Sequence, residues 1–225
     1  MAAISTPRSR RTLVLDLDGT LADSVPDLAA ALNRLMASRG LPGFADAAVA
    51  AMVGDGVRAL VERGFAAHGA APDSQALTDF LADYTANAAH ATRAYPGVEA
   101  TLGLLAEQGW RMAVCTNKPV AAARPLLEAL GLARFFAAVG GGDSYAVRKP
   151  DPGHLLATLA DAGGDPGRAL MVGDHHNDVI AAAGAGILAI FAAWGYGPIA
   201  AGADAAAVAE RFADLPGIAA RLLAA

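Results

Sequence analysis

The stretch Arg11-Thr12-Leu13-Val14-Leu15-Asp16-Leu17-Asp18-Gly19-Thr20-Leu21 decides how this chain is read. It opens as a short apolar run without proline, the pattern of a buried strand. It closes on two carboxylates, a glycine and a hydroxyl. Asp16 and Asp18 are two residues apart, so in extended backbone both face one side. Neighbouring carboxylates repel, and burying them unpaired is costly. A divalent cation relieves both difficulties, and Mg²⁺ prefers oxygen ligands while keeping positions open for water and phosphate. Gly19 lets the backbone turn tightly where the strand ends. The alternative is a strand followed by a plain acidic turn.

Composition narrows the classes around that stretch. The 225 residues can bury a sizeable core, as one domain or as one domain carrying an insertion. With 55% hydrophobic residues the chain reads as globular rather than disordered. A net charge of −5 argues against broad nucleic-acid or anionic-membrane binding. An anionic substrate then needs local positive charge, from a metal or a few Lys and Arg. A single cysteine excludes an internal disulfide framework and fits a reducing, cytoplasmic compartment. Met1 to Arg11 carries Arg8, Arg10 and Arg11 without an apolar stretch, so it reads as a frayed tail and not as a signal peptide. No segment approaches the apolar length of a membrane span. The oligomeric state stays open between monomer and homodimer.

Outward from the motif, Leu28, Leu32, Leu35 and Met36 recur at helical spacing, with Asp23 or Ser24 as cap and Pro26 in the first turn. Gly40-Leu41-Pro42-Gly43 stops that helix. Further helices are expected over Asp46–Met52, from Gly54-Asp55-Gly56 to Gly69, and from Pro72-Asp73-Ser74 through Tyr84. A helix over Gly97–Gln108 then precedes the next clear strand, Arg111–Cys115. A crossover between parallel strands needs only a dozen or so residues plus short loops. Residues 22–92 therefore read as an inserted helical cap, hinged at Asp23–Val25 and Arg93–Pro96, with residues 1–21 and 93–225 as the core domain.

Beyond Gln108, strands are expected at Phe136–Val139, Ala169–Val172 and Ile187–Ile190. Helices are expected at Val120–Leu130, Pro152–Ala162, Asn177–Ala183, Ala205–Arg211 and Pro216–Leu223. This alternation predicts an α/β fold with a doubly wound, parallel, Rossmann-like sheet, whose ligands bind beyond the carboxyl ends of the strands.

Three further motifs fall at such ends. In Cys115-Thr116-Asn117-Lys118-Pro119, a hydroxyl and free N–H groups at a helix start suit phosphate oxygens; the alternative is an ordinary N-cap. In Arg148-Lys149-Pro150-Asp151-Pro152, prolines hold a lysine whose ammonium suits phosphate or carboxylate, while Arg148 reads as solvated. In Gly173-Asp174-His175-His176-Asn177-Asp178, Asp174 and Asp178 are four apart and expected on one face of the following helical turn, with Asp174 placed as a metal ligand. Asp178 is either a supporting partner behind it or a helix N-terminal acid. A zinc site on the histidine pair is disfavoured: adjacent histidines are expected to point apart, and the neighbouring ligands are hard carboxylates.

These four motifs, in this order, resemble the haloacid dehalogenase superfamily, and most of all its phosphoglycolate phosphatase-like branch. Asp16 to Asp27, Gly54-Asp55-Gly56, Tyr95-Pro96-Gly97-Val98 and Trp194-Gly195-Tyr196-Gly197 share in that likeness. His175 departs from it, standing where the branch commonly carries Ser. The resemblance implies a Mg²⁺-dependent phosphatase for a small anionic phosphoester such as 2-phosphoglycolate. Asp16 is then the nucleophile that forms an aspartyl-phosphate, and Asp18 the acid and base. Mg²⁺ is held by Asp16, the Asp18 main-chain carbonyl and Asp174. Thr116, Asn117 and Lys149 hold the phosphoryl group. The cap then chooses the leaving group. Gly54, Asp55, Gly56 and Arg58 are its candidate contacts, by close backbone approach and one charge-assisted bond. Alternatively, Asp55 caps a helix and Arg58 faces solvent. The rival functions are a phosphomutase or phosphatase of the same fold acting on a sugar phosphate, and a non-catalytic phospho-ligand binding protein.

Overall fold

The structure, a computed structural model, describes residues 10–87 and 89–224. Most of the expected N-terminal tail, residues 1–9, lies outside them. The strands are β1 (Thr12–Leu15), β2 (Ala22–Asp23), β3 (Arg93–Ala94), β4 (Arg111–Cys115), β5 (Ala138–Gly140), β6 (Ala169–Gly173), β7 (Leu188–Ala192) and β8 (Ala207–Ala209). The α-helices are α1 (Val25–Ser38), α2 (Asp46–Ala50), α3 (Val57–Ala66), α4 (Ala76–Asn87), α5 (Val98–Glu107), α6 (Val120–Ala129), α7 (Pro152–Asp161), α8 (His176–Gly184) and α9 (Leu215–Leu222).

Six strands form one parallel sheet in the order β5-β4-β1-β6-β7-β8. Alternation along each strand sorts side chains to the two faces. Leu13, Leu15, Met112, Val114, Leu170 and Val172 pack with α5, α6 and α9, while Val14, Ala113, Met171 and Phe191 pack with α7 and α8. Both faces are covered, which is why the strands are apolar throughout. β1 is central: Leu15 pairs with Val114 of β4 and with Val172 of β6. Asp16, Thr116 and Asp174 therefore emerge from adjacent strand ends.

Helices α1 to α4 have their own apolar cluster, built on Leu28, Leu32, Leu35, Met36, Leu60, Phe65, Phe80 and Tyr84. Ala122 of α6 joins it, so the helical unit sits on the sheet layer. The two connections to this unit pair with each other: β2 and β3 form a short antiparallel ribbon, Ala22 opposite Ala94 and Asp23 opposite Arg93.

Two expectations need correction. Ala205–Arg211 is not a helix; Ala207–Ala209 adds β8 to the sheet edge beside β7. Alanine favours helix in isolation, but the run lacks the apolar stripe to pack one, and pairing with β7 decides. The strand expected at Phe136–Val139 lies later, at Ala138–Gly140, after a 3-10 turn over Ala133–Phe135. Among the described residues no helix is long and apolar enough to cross a membrane.

Candidate active site

The strand-end carboxylates converge. Ligand oxygens of Asp16, Asp174 and Asp178 all lie within 4.8 Å of one another, and all three residues are buried. Lys149, 2% exposed, stands among them. Its ammonium donates to Asp178 Oδ1 (2.6 Å) and to the Cys115 carbonyl (2.6 Å), and lies 2.9 Å from Asp16 Oδ1. That last contact is an ion pair without hydrogen-bond geometry, so the buried Asp16 Oδ1 accepts no hydrogen bond. Three carboxylates thus cluster where one ammonium meets two of them.

Each acid is fixed differently. Asp174 Oδ1 accepts from Thr20 Oγ1 (2.9 Å), and Oδ2 from the Tyr196 and Gly197 N–H groups (2.8 and 3.3 Å). Gly19 is needed beside it: its φ is +83°, and a Cβ there would stand 2.3 Å from Asp174 Oδ2. Asp174 precedes α8, so Asp174 and Asp178 do not share a helical turn as expected. Asp178 combines both alternatives left open for it, capping α8 by accepting from His175 N (3.1 Å) while holding Lys149. Burial, partly offset by Lys149, pushes the Asp16 carboxyl up to about 6. Burial and then the charges of Asp16 and Asp178 push Asp174 up to about 7. Burial works against the Lys149 ammonium, but Asp16 and Asp178 outweigh it and raise its pKa. A buried all-oxygen group with one unsatisfied oxygen and excess negative charge fits a hard divalent cation.

Asp18 points elsewhere. Its carboxylate accepts from Ser24 Oγ (2.6 Å) and from Lys118 Nζ (2.9 and 3.0 Å). Ser24 therefore starts α1 without giving its hydroxyl to that helix. The Lys118 ammonium also lies 4.5 Å from the ring centroid of Tyr84, a residue of α4. Burial disfavours this cation, and Asp18 and Tyr84 together more than compensate, so its pKa is raised.

A cleft of about 30 Å³ separates the helical unit from the strand ends, room for roughly two waters. Asp16, Asp18, Thr116, Asn117 and Lys118 form its floor; Leu28, Val53, Gly54, Gly56, Val57 and Leu60 form its roof. Asn117 Nδ2 donates to the carbonyls of Gly54 (3.1 Å) and Lys149 (2.9 Å), tying roof to floor. Thr116 Oγ1 accepts from Lys118 N (3.2 Å). Asp55 does not line the cleft or cap α3: Gly56 takes the cap position, and Asp55 pairs with Arg63 and accepts from Asn177 Nδ2 (2.6 Å). Partial burial raises the Asp55 pKa, but Asn177 and Arg63 together bring it below the ordinary value. Arg58 is exposed on α3 and Arg148 is exposed ahead of Lys149; neither lines the cleft.

The histidines do not point apart as expected. Their ring centroids are 4.0 Å apart, and with Asp55 they form a second cluster of potential ligand atoms. His175 Nδ1 accepts from Asn177 N (3.4 Å), which makes an imidazole the cap of α8. Burial and the neighbouring His176 push its pKa down to about 4. Gly54, at φ +122°, passes so close that a Cβ would lie 2.5 Å from the His175 ring.

Sequence reasoning gave no role to Lys118, Tyr84, Asn177 or Tyr196. Lys118 had a signal, standing two residues after the strand-end hydroxyl. The others reach the site only through tertiary packing. The Tyr196 hydroxyl accepts from the N–H groups of Ser24 (2.7 Å) and Val25 (3.1 Å) and donates to Asp23 Oδ1 (2.8 Å), clasping one of the two connections.

Parallel sheet, strand-end carboxylates and poised lysine define a hydrolase of the haloacid dehalogenase type. The sequence profile of haloacid dehalogenase-like hydrolases matches residues 10–186, and the chain belongs to that family. It is 44% identical over 192 residues to a phosphoglycolate phosphatase of Mesorhizobium japonicum, covering 84% of this chain and 85% of that one. It is 44% identical over 215 residues to the phosphoglycolate phosphatase of Rhodospirillum rubrum, covering 91% of this chain and 89% of that one. The crystal structure described as a predicted phosphoglycolate phosphatase from Haemophilus somnus 129PT superposes with a TM-score of 0.86 at 31% identity, covering 93% of this chain and 97% of that one. The chain is accordingly a phosphoric monoester hydrolase.

Proposed function

We propose that this phosphatase hydrolyses 2-phosphoglycolate through a phosphoryl group carried transiently on Asp16, with Mg²⁺ as its metal. The observation that carries the chemistry is the placement of Asp16: buried, 2.9 Å from Lys149, and grouped with Asp174 and Asp178. The similarity to phosphoglycolate phosphatases supports the substrate.

Asp16 attacks phosphorus as the ester P–O bond breaks, and Asp18 gives a proton to the leaving oxygen. Asp18 then takes a proton from water, whose oxygen attacks the aspartyl-phosphate; phosphate leaves and the Asp16 carboxylate is restored. Lys149, with Thr116 and N–H groups at the start of α6, meets the charge on the phosphoryl oxygens. Asn117 spends its side-chain amide on Gly54 and Lys149, so its contact to phosphate is through the backbone. Asp16, Asp174 and the Asp18 carbonyl would hold Mg²⁺, with Asp178 in support. When bound, that ion shields the repulsion between nucleophile and phosphate.

We assign residues 22–92 as the cap over a core of 1–21 and 93–225. The narrow cleft and the roof-to-floor bonds of Asn117 support a closed form that must open for substrate to enter. Phosphate release from 2-phosphoglycolate, sugar phosphates and an aryl phosphate, with Mg²⁺ and with excess chelator, tests the reading. Preference for 2-phosphoglycolate and silence in chelator are expected. A sugar phosphate as best substrate would overturn the substrate, and undiminished activity in chelator the metal.

A further inference from the structure

We propose that Lys118 is the specificity-determining residue of this site, pairing with the carboxylate of the leaving group. The proposal rests on the reading of the protein as a phosphatase for 2-phosphoglycolate. The cleft is lined by two carboxylates, Asp16 and Asp18, and by an apolar roof of Leu28, Val53, Val57 and Leu60. Against such walls a carboxylated leaving group is repelled or stripped of water unless a cation meets it. Among the described residues, Lys118 is the one cation that lines the cleft. Lys149 is engaged with Asp16, Asp178 and the Cys115 carbonyl, and Arg58 and Arg148 are exposed outside the cleft.

The position of Lys118 suits a two-carbon leaving group. Lys118 is 3% exposed, and its ammonium gives hydrogen bonds to both Asp18 oxygens, at 2.9 and 3.0 Å. An ammonium has three N–H donors, and beyond the Asp18 oxygens the neighbour of this one is Tyr84, whose ring centroid lies 4.5 Å away. Asp18 is the group that protonates the ester oxygen. In a glycolyl ester the carboxylate carbon is two bonds from that oxygen, which puts a carboxylate oxygen within ~3–4 Å of it. The carboxylate therefore falls where the ammonium stands, and the pair is a charge-assisted bond shielded from solvent. Tyr84 belongs to the helical unit, so closure of that unit completes the pocket around Lys118.

The test compares kcat/KM on 2-phosphoglycolate with that on 2-hydroxyethyl phosphate, whose leaving group has similar length and no charge. Wild type is expected to favour the carboxylated ester. Lys118→Met is expected to lower that preference roughly tenfold to hundredfold, and Lys118→Arg to retain part of it. If Lys118 serves only to steady Asp18, both substrates slow together and their ratio is unchanged. That result overturns the proposal while leaving the substrate reading intact. Loss of the preference on Arg58→Ala in place of Lys118→Met also overturns it. A wild type indifferent to the carboxylate overturns the substrate reading and the proposal with it. Should Lys118→Met fail to fold, Lys118→Gln against Lys118→Arg reads the same ratio: loss with Gln and retention with Arg supports the pairing, and equal ratios refute it.

Discussion

Asp16 and Asp174 are held where ionisation is opposed, and this makes the stability of the metal-free protein depend on pH. Their carboxyls are pushed from 3.8 up to about 6 and about 7. Between those values and the ordinary one, the folded state binds more protons than the unfolded state, so stability falls as pH rises. A bound divalent cation favours the ionised forms and opposes that loss. The gain in Tm on adding Mg²⁺ is thus expected to be small near about pH 5 and to grow toward about pH 8. Asp174→Asn should flatten this dependence, and a gain independent of pH would contradict it. Lys149 belongs to the same balance. Lys149→Met leaves Asp16 and Asp178 buried without their cation, at a cost of about 3 kcal/mol in denaturant unfolding without metal, and should abolish turnover. Wild-type stability and activity in that variant would remove Lys149 from the centre of the site. The residue scale is also where the sequence spoke most clearly. Asp16, Asp18, Thr116, Lys149 and Asp174 end strands or open turns, where polar groups interrupt apolar runs. Lys118 and Tyr84 could not be read this way, because their meeting is decided by how two units pack.

At the scale of elements, the loop between α2 and α3 and the start of α8 are fitted to each other. Gly54 crosses the His175 imidazole where a Cβ would stand 2.5 Å away, and Asn177 reaches Asp55 across the gap at 2.6 Å. Gly54→Val should therefore keep the sheet folded at a modest loss of stability, since φ +122° strains a β-branched residue, while lowering kcat/KM at least about tenfold by holding the loop off the site. Thermal unfolding beside steady-state kinetics separates the two effects. A variant with wild-type kcat/KM would show that this contact is not needed for closure. Most elements were legible because apolar strands alternate with amphipathic helices at the spacing a parallel sheet demands. The failures have physical causes. β2 and β3 have two residues each, too few to show a period, and β8 lies in an alanine run whose local preference was outweighed by pairing with β7.

Over the whole molecule, a chain of net charge −5 keeps two lysines, Lys118 and Lys149, buried where helices α1 to α4 meet the strand ends, and on the proposed reading these would meet the anionic substrate. The long helical stretch between the first two strands of the large sheet was visible in the sequence, although its seating on the sheet layer was not. Tyr196 links the loop between β7 and β8 to the connection at Asp23–Val25. Tyr196→Phe should speed amide exchange at Ser24 and Val25 while exchange in β1, β4 and β6 stays slow; unchanged exchange at the connection would show that Tyr196 does not steady it. The central claim is that Asp16 carries the phosphoryl group. It is tested most directly by acid-quenching the enzyme during turnover of 2-phosphoglycolate with Mg²⁺ and weighing its peptides. One phosphoryl group on the peptide bearing Asp16, appearing and decaying within turnover and absent from a folded, inactive Asp16→Asn variant, is the predicted result. Phosphate release at the wild-type rate by Asp16→Asn would contradict it.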